Sequence, residues 1–165
     1  MYIRTNKDAP RYRVITIDLA DVDRAPKELI PEDKEAHLED VKPVNNDKLA
    51  VVFKRNVGCE IICADSLVFL ICFGHKVNDE IHIYSKDGSH ITRLARYFVG
   101  SASISCRHNQ DYLFVTMSGF TTPGIVAHCD FAEKEGCRWS VYRTTSVCGL
   151  KPQDFEARQV SLQPF

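Results

Sequence analysis

Residues Glu80 to Gly88 read Glu80-Ile81-His82-Ile83-Tyr84-Ser85-Lys86-Asp87-Gly88, an alternating segment closed by a turn signal. Apolar and polar residues at a period of two mark a β-strand, because successive side chains point to opposite faces. Asp87-Gly88 supplies the positive-φ position that a tight hairpin requires, and Ile91 to Leu94 follows as a short return strand. The same period extends outward in both directions. Upstream, Lys48 to Lys54 is a strand, and Arg11 to Leu19 places Tyr12, Val14 and Thr16 on one face and Arg13, Ile15, Ile17 and Leu19 on the other. Downstream lie Phe98–Ser105, Tyr112–Met117, Gly124–Phe131, Trp139–Thr144 and Phe155–Val160. Between two of them, Ser118 to Gly124 (SGFTTPG) ends in Pro123-Gly124, which predicts a turn with positive φ at the glycine. Only Pro31 to Leu38 has room for a short helical turn. The chain is predicted to be all-β.

Strands of this length separated by polar turns fit a sandwich, a barrel or propeller blades. A four-stranded blade takes roughly 40–50 residues, and propellers close with about four to eight blades. The 165 residues would therefore hold two to three blades of antiparallel strands, a partial β-propeller and an incomplete ring.

Composition narrows the class. Hydrophobic residues are 44% and charged residues 26%, as in a globular protein with a packed core. A formal net charge of −1 predicts no nucleic acid and no membrane partner. Acidic residues crowd the stretch from Asp18 to Asp40, which reads as a solvated loop because it lacks calcium-loop spacing. The opening residues carry no apolar signal and no run approaches the ~20 residues that span a bilayer. A cytoplasmic location is expected, and with it reduced thiols for most of the seven cysteines.

Four segments then carry a resemblance: TNKDAPRYRVITIDL (5–19), LEDVKPVNNDKLAVVFKRNV (38–57), NDEIHIYSKDG (78–88) and FVTMSGFTTPGIVAHCDF (114–131). In this order and spacing they resemble the propeller of the prolyl oligopeptidases, from about residue 3 to residue 160. The resemblance implies a cytosolic serine-type endopeptidase that cleaves short proline-containing peptides. In that family a β-propeller caps an α/β-hydrolase domain and restricts access to it. The implied domains are a partial propeller over 1–160 and a tail, 161–165, where the hydrolase domain would be expected. The family's catalytic Ser, Asp and His lie in that missing domain. No G-x-S-x-G nucleophile elbow occurs here; Gly100-Ser101-Ala102-Ser103 places its serines out of register. Expected catalytic, cofactor-binding and metal residues are therefore none, and the chain is expected to be inactive alone. The alternative is a stand-alone propeller-like module that binds peptides or proteins without catalysis.

One run departs from the pattern. Residues 58–77 separate FKRNV from NDEIHIYSKDG, and without them the two join as one hairpin. Cys59, Cys63, Cys72 and His75 give C-x3-C-x8-C-x2-H, which lacks the paired knuckle spacing of structural zinc. Cys59 and Cys63 likewise lack redox C-x-x-C spacing, so passive burial is the preferred reading. His128-Cys129-Asp130 resembles a hydrolytic trio, but neighbours on a strand face opposite ways. Cys106, His108, Cys137 and Cys148 carry no functional reading, and Trp139 reads as packing. The 58–77 run reads as an insertion, with the length and foreign composition of a retained intron or of an error in a gene model. Sequencing of the transcript is expected to find messages passing directly from the Val57 codon to that of Asn78; recovery of peptides covering Ile61 to Lys76 would show the run to be translated protein.

Overall fold

In the computed structural model the residues described are 1–21, 23–57, 76–119, 122–132 and 137–146. The Cys-rich residues 58–75, Cys148, the expected strand 155–160 and the tail 161–165 lie outside them. Eleven strands form three antiparallel meanders among the described residues. The first sheet is β1 (Tyr2–Thr5), β2 (Arg13–Thr16) and β3 (Lys27–Ile30). The second is β4 (Ala36–Val44), β5 (Lys48–Val57), β6 (Lys76–Ser85) and β7 (His90–Leu94). The third is β8 (Ser101–Cys106), β9 (Tyr112–Gly119), β10 (Thr122–Asp130) and β11 (Arg138–Thr144). The last strand of each sheet leads into the first strand of the next, so the sheets follow one another as blades.

The middle of β5 explains the stacking. Leu49, Ala50 and Val51 are 0% exposed, Val52 2% and Phe53 5%. Five consecutive buried residues on a strand require cover on both faces. Leu49, Val51 and Phe53 meet Val14 and Ile30 of the first sheet, with Ala36 and Leu38 alongside. Ala50 and Val52 point the other way, with Val44, Ile81, Ile83 and Leu94, onto Ile104, Leu113, Val115, Met117 and Ala127 of the third sheet. Polar contacts set the stagger. Asp79 N–H donates to Gly100 O at 3.0 Å, and Ala102 N–H donates to the Asp79 carboxylate at 2.7 Å. Lys42 Nζ reaches Ile104 O at 2.7 Å, and the Asn45 and Asn46 amides donate to Gln110 O and His108 O.

The hairpin read from Glu80 to Gly88 is present. Gly88 has φ +92°, and a Cβ there would run into Leu29 O, so the position combines backbone freedom with close approach. Val14 is fully buried on the face expected for it. Three local expectations change. Pro31 to Leu38 contains no helix: residues 31–35 cross between sheets and β4 begins at Ala36. The acidic stretch is not simply a solvated loop, because β3 and the start of β4 lie in it and bury Ile30, Ala36 and Leu38. Pro123-Gly124 sits within β10 at a register shift rather than at a positive-φ turn.

Shortening a core side chain of β5 removes packing from an interface that cannot collapse. Leu49→Ala is expected to lower unfolding free energy by about 2–5 kcal/mol in urea denaturation, whereas Leu19→Ala, at an exposed position, should change it by less than about 0.5 kcal/mol.

Candidate functional site

His128, Cys129 and Asp130 do not converge. The His128 ring packs near Tyr112 and Phe114, at 5.2 and 5.1 Å between centroids. Cys129 points into the opposite, fully buried face, and Asp130 Oδ1 accepts the Ala132 N–H at 2.8 Å. Cys106 is half-buried, its thiol donating to Pro43 O at 3.6 Å, and burial pushes its pKa up, away from thiolate chemistry. Among the described residues no group of three or more His, Cys, Asp or Glu side chains is placed to hold a metal ion. Cys59, Cys63, Cys72 and His75 lie outside the described residues.

The densest polar arrangement is one that sequence reasoning missed. Strand register brings it together: β5 pairs with β6 through Phe53↔Glu80 and Val51↔His82, and β6 pairs with β7 through His82↔Arg93. Glu80 is buried, its Oε1 at 3.3 Å from Arg55 Nε and 3.2 Å from Arg93, its Oε2 at 3.2 Å from His82 Nε2. Arg55 continues the chain to Asp33 at 3.3 Å and Glu35 at 3.0 Å, both on the segment crossing from the first sheet. His82 Nδ1 lies 2.9 Å from His90 Nε2, and its ring meets Phe53 edge-on at 5.5 Å.

Burial alone would raise the Glu80 pKa; its His82 hydrogen bond and the Arg93 and Arg55 charges outweigh that and hold it below the ordinary value. Burial pushes the His82 imidazole down, with Glu80 opposing. The carboxylate is shared among three donors, and through Arg55 the cluster fastens the segment that crosses from the first sheet. Its separate members, an acid on one strand and arginines on two others, give no local signal in the sequence.

A second feature lies at the outer edge of the second and third sheets. Ile91, Thr92, Arg93, Leu94, Ala95, Cys137 and Trp139 line a cleft of about 530 Å³. Trp139 packs against the core between these sheets, as expected. Cys129 and Cys137 form a disulfide across the end of the β10–β11 hairpin, with Cα atoms 5.9 Å apart. The expectation of reduced thiols is corrected for this pair. The two cysteines lie beside strand ends that pair as Asp130↔Arg138, a juxtaposition supplied by strand register.

Glu80→Gln tests the ionic seam. A carboxylate with a depressed folded pKa contributes stability that is fully present above its unfolded value near 4.5 and is lost as pH falls through the folded value. The substitution is expected to cost about 1.5–3 kcal/mol at pH 7. The gap in melting temperature should narrow as pH falls below about 4.5 and go on closing through the lower folded value; a gap unchanged by acid would mean the charge is not what matters.

Residues 1–140 match the family described as prolyl oligopeptidase, N-terminal beta-propeller domain. Prolyl oligopeptidase A of Amanita bisporigera is 44% identical over 160 residues, which cover 97% of this chain and 18% of that protein. A dual function macrocyclase-peptidase, POPB, of Galerina marginata is 43% identical over 97% of this chain and 19% of its own length. The solved apo structure of prolyl oligopeptidase B from Galerina marginata superposes with a TM-score of 0.80 over 96% of this chain and 20% of that one, at 43% identity. The same protein bound to a 25mer macrocyclization substrate gives 0.77. The chain spans about a fifth of the length of the relatives it matches. With eleven strands in successive meanders and a family match over most of its residues, the chain belongs to the prolyl oligopeptidase family and corresponds to part of its N-terminal β-propeller domain.

Proposed function

We propose that this chain is the gating portion of a prolyl oligopeptidase-type serine endopeptidase. It works as blades of a ring that covers an α/β-hydrolase domain supplied outside these 165 residues. The substrates are short proline-containing peptides, which a ring of blades admits while larger folded chains are held away from the chemistry. The observation that carries this reading is the superposition of 96% of the chain on prolyl oligopeptidase B from Galerina marginata with a TM-score of 0.80. The cluster around Glu80 agrees with it: Arg55 and Arg93 join β6 to its neighbouring strands, and Arg55 joins this sheet to the segment from the first. Catalysis belongs to the hydrolase domain, and the compartment of this activity is the cytoplasm. No helix among the described residues is long and apolar enough to cross a membrane.

Residues 58–77 are proposed as an insertion at a hairpin tip. The ladder between β5 and β6 pairs Arg55 with Asn78 and Val57 with Lys76. Excision of 58–77 leaves Asn56-Val57 as a two-residue loop between the paired Arg55 and Asn78, the shortest common hairpin connection.

A chimaera separates gating from catalysis. Replacing the matching portion of Galerina marginata prolyl oligopeptidase B with residues 1–160, without 58–77, is expected to leave cleavage of a short proline peptide within about tenfold of the parent. The isolated chain should show no turnover of the same peptide. Turnover by the isolated chain that a serine-directed inhibitor abolishes would overturn the proposal, as would a folded chimaera that digests large folded proteins.

A further inference from the structure

We propose that Cys129–Cys137 is a reversible thiol–disulfide exchange site, addressed by a low-molecular-weight thiol couple from the cleft between β7 and β11. The pair is set apart from the other described cysteine by geometry. Cys106, Leu113, Cys129 and Trp139 form one row across the third sheet, through Cys106↔Leu113, Cys129↔Leu113 and Cys129↔Trp139. Cys106 is thus two strands from Cys129, roughly 10 Å, beyond disulfide reach. Cys137 sits within it, at 5.9 Å between Cα atoms.

The two sulfurs differ in access. Cys129 is 0% exposed in the core, whereas Cys137 is half-buried on the cleft wall. A small thiolate entering the cleft attacks the Cys137 sulfur. The protein S–S bond breaks, a mixed disulfide forms on Cys137, and Cys129 leaves as a thiolate that takes up a proton. A second small thiol then displaces Cys137, yielding two protein thiols and one oxidised small-molecule disulfide. The reduced state is tolerated because a buried neutral thiol behaves as a small hydrophobe. The bridge closes a separation of only 8 residues, so it adds less stability than a long-range bridge. The β10–β11 ladder from Ile125↔Thr144 to Asp130↔Arg138 does not depend on it. Reduction therefore loosens the cleft wall at Cys137 and leaves the sheet zipped.

Trp139, the one tryptophan of the chain, lines the same cleft and reports on the bond, since disulfides quench indole emission. The 165-residue chain is equilibrated with glutathione and glutathione disulfide at a series of ratios, then alkylated and digested with trypsin. The expected result is loss of the linked peptides 108–134 and 135–138 at a single midpoint, matched by a rise in Trp139 emission. Cys137→Ser should abolish the emission response and Cys106→Ser should keep it. The proposal fails if the link survives excess glutathione in the folded chain, or if glutathione disulfide never forms it. Peptide mapping of the unaltered chain decides this even if the Cys137→Ser variant does not fold.

Discussion

A strand that is buried on both faces cannot stand in an isolated sheet. The five residues Leu49 to Phe53 impose that condition, since water is excluded from both sides of β5. Alternation assigns Leu49, Val51 and Phe53 to one neighbour and Ala50 and Val52 to the other. A slip of one residue would exchange these sets and mismatch both interfaces at once. The second sheet is thereby locked between the first and third, and the direction of the whole stack follows. Dispersion and hydrophobic burial supply the attraction, and the size of the side chains sets the spacing.

Apolar faces alone would allow the sheets to slide. Polar groups at their margins remove that freedom. Asp79 is pinned to the third sheet through its own N–H and its carboxylate, and burial pushes its pKa up while the Ala102 N–H pulls the other way. Glu80, one residue on, lies on the other face and gathers Arg55, Arg93 and His82 of its own sheet, with Arg55 reaching on to Asp33 and Glu35 in the segment that comes from the first sheet. Adjacent residues on one strand thus fasten opposite neighbours, a direct result of the two-residue period. Buried charges of this kind cost desolvation, which their opposite charges and hydrogen bonds offset.

This economy of polar groups bears on function. Asp79, Glu80 and His82 are engaged in holding strands, and His128-Cys129-Asp130 divides between two faces of β10. In the proposed reading, a propeller portion serves a peptidase through the shape that its joined blades define. The outer cleft beside Cys137 and Trp139 lies between β7 and β11, and it is there that a covalent bond lies close to the surface.

The strands from Arg11, Lys48, Glu80 and Tyr112, the Asp87-Gly88 turn and the family motifs could all be read from the chain, because period-two alternation and turn chemistry are local properties. Strand β4 was hidden by its charged residues, since Glu39, Asp40 and Lys42 obscure the buried Ala36, Leu38 and Val44. Pro123-Gly124 carried turn chemistry but was absorbed as a strand irregularity by pairing with β9 and β11. The ionic seam at Glu80, the link of Lys42 to Ile104 and the Cys129–Cys137 bond needed the folded chain. Local sequence determines which residues lie on a common face. Which distant face meets it depends on sheet stacking and on hairpin register, and these arise only when the three sheets close upon one another.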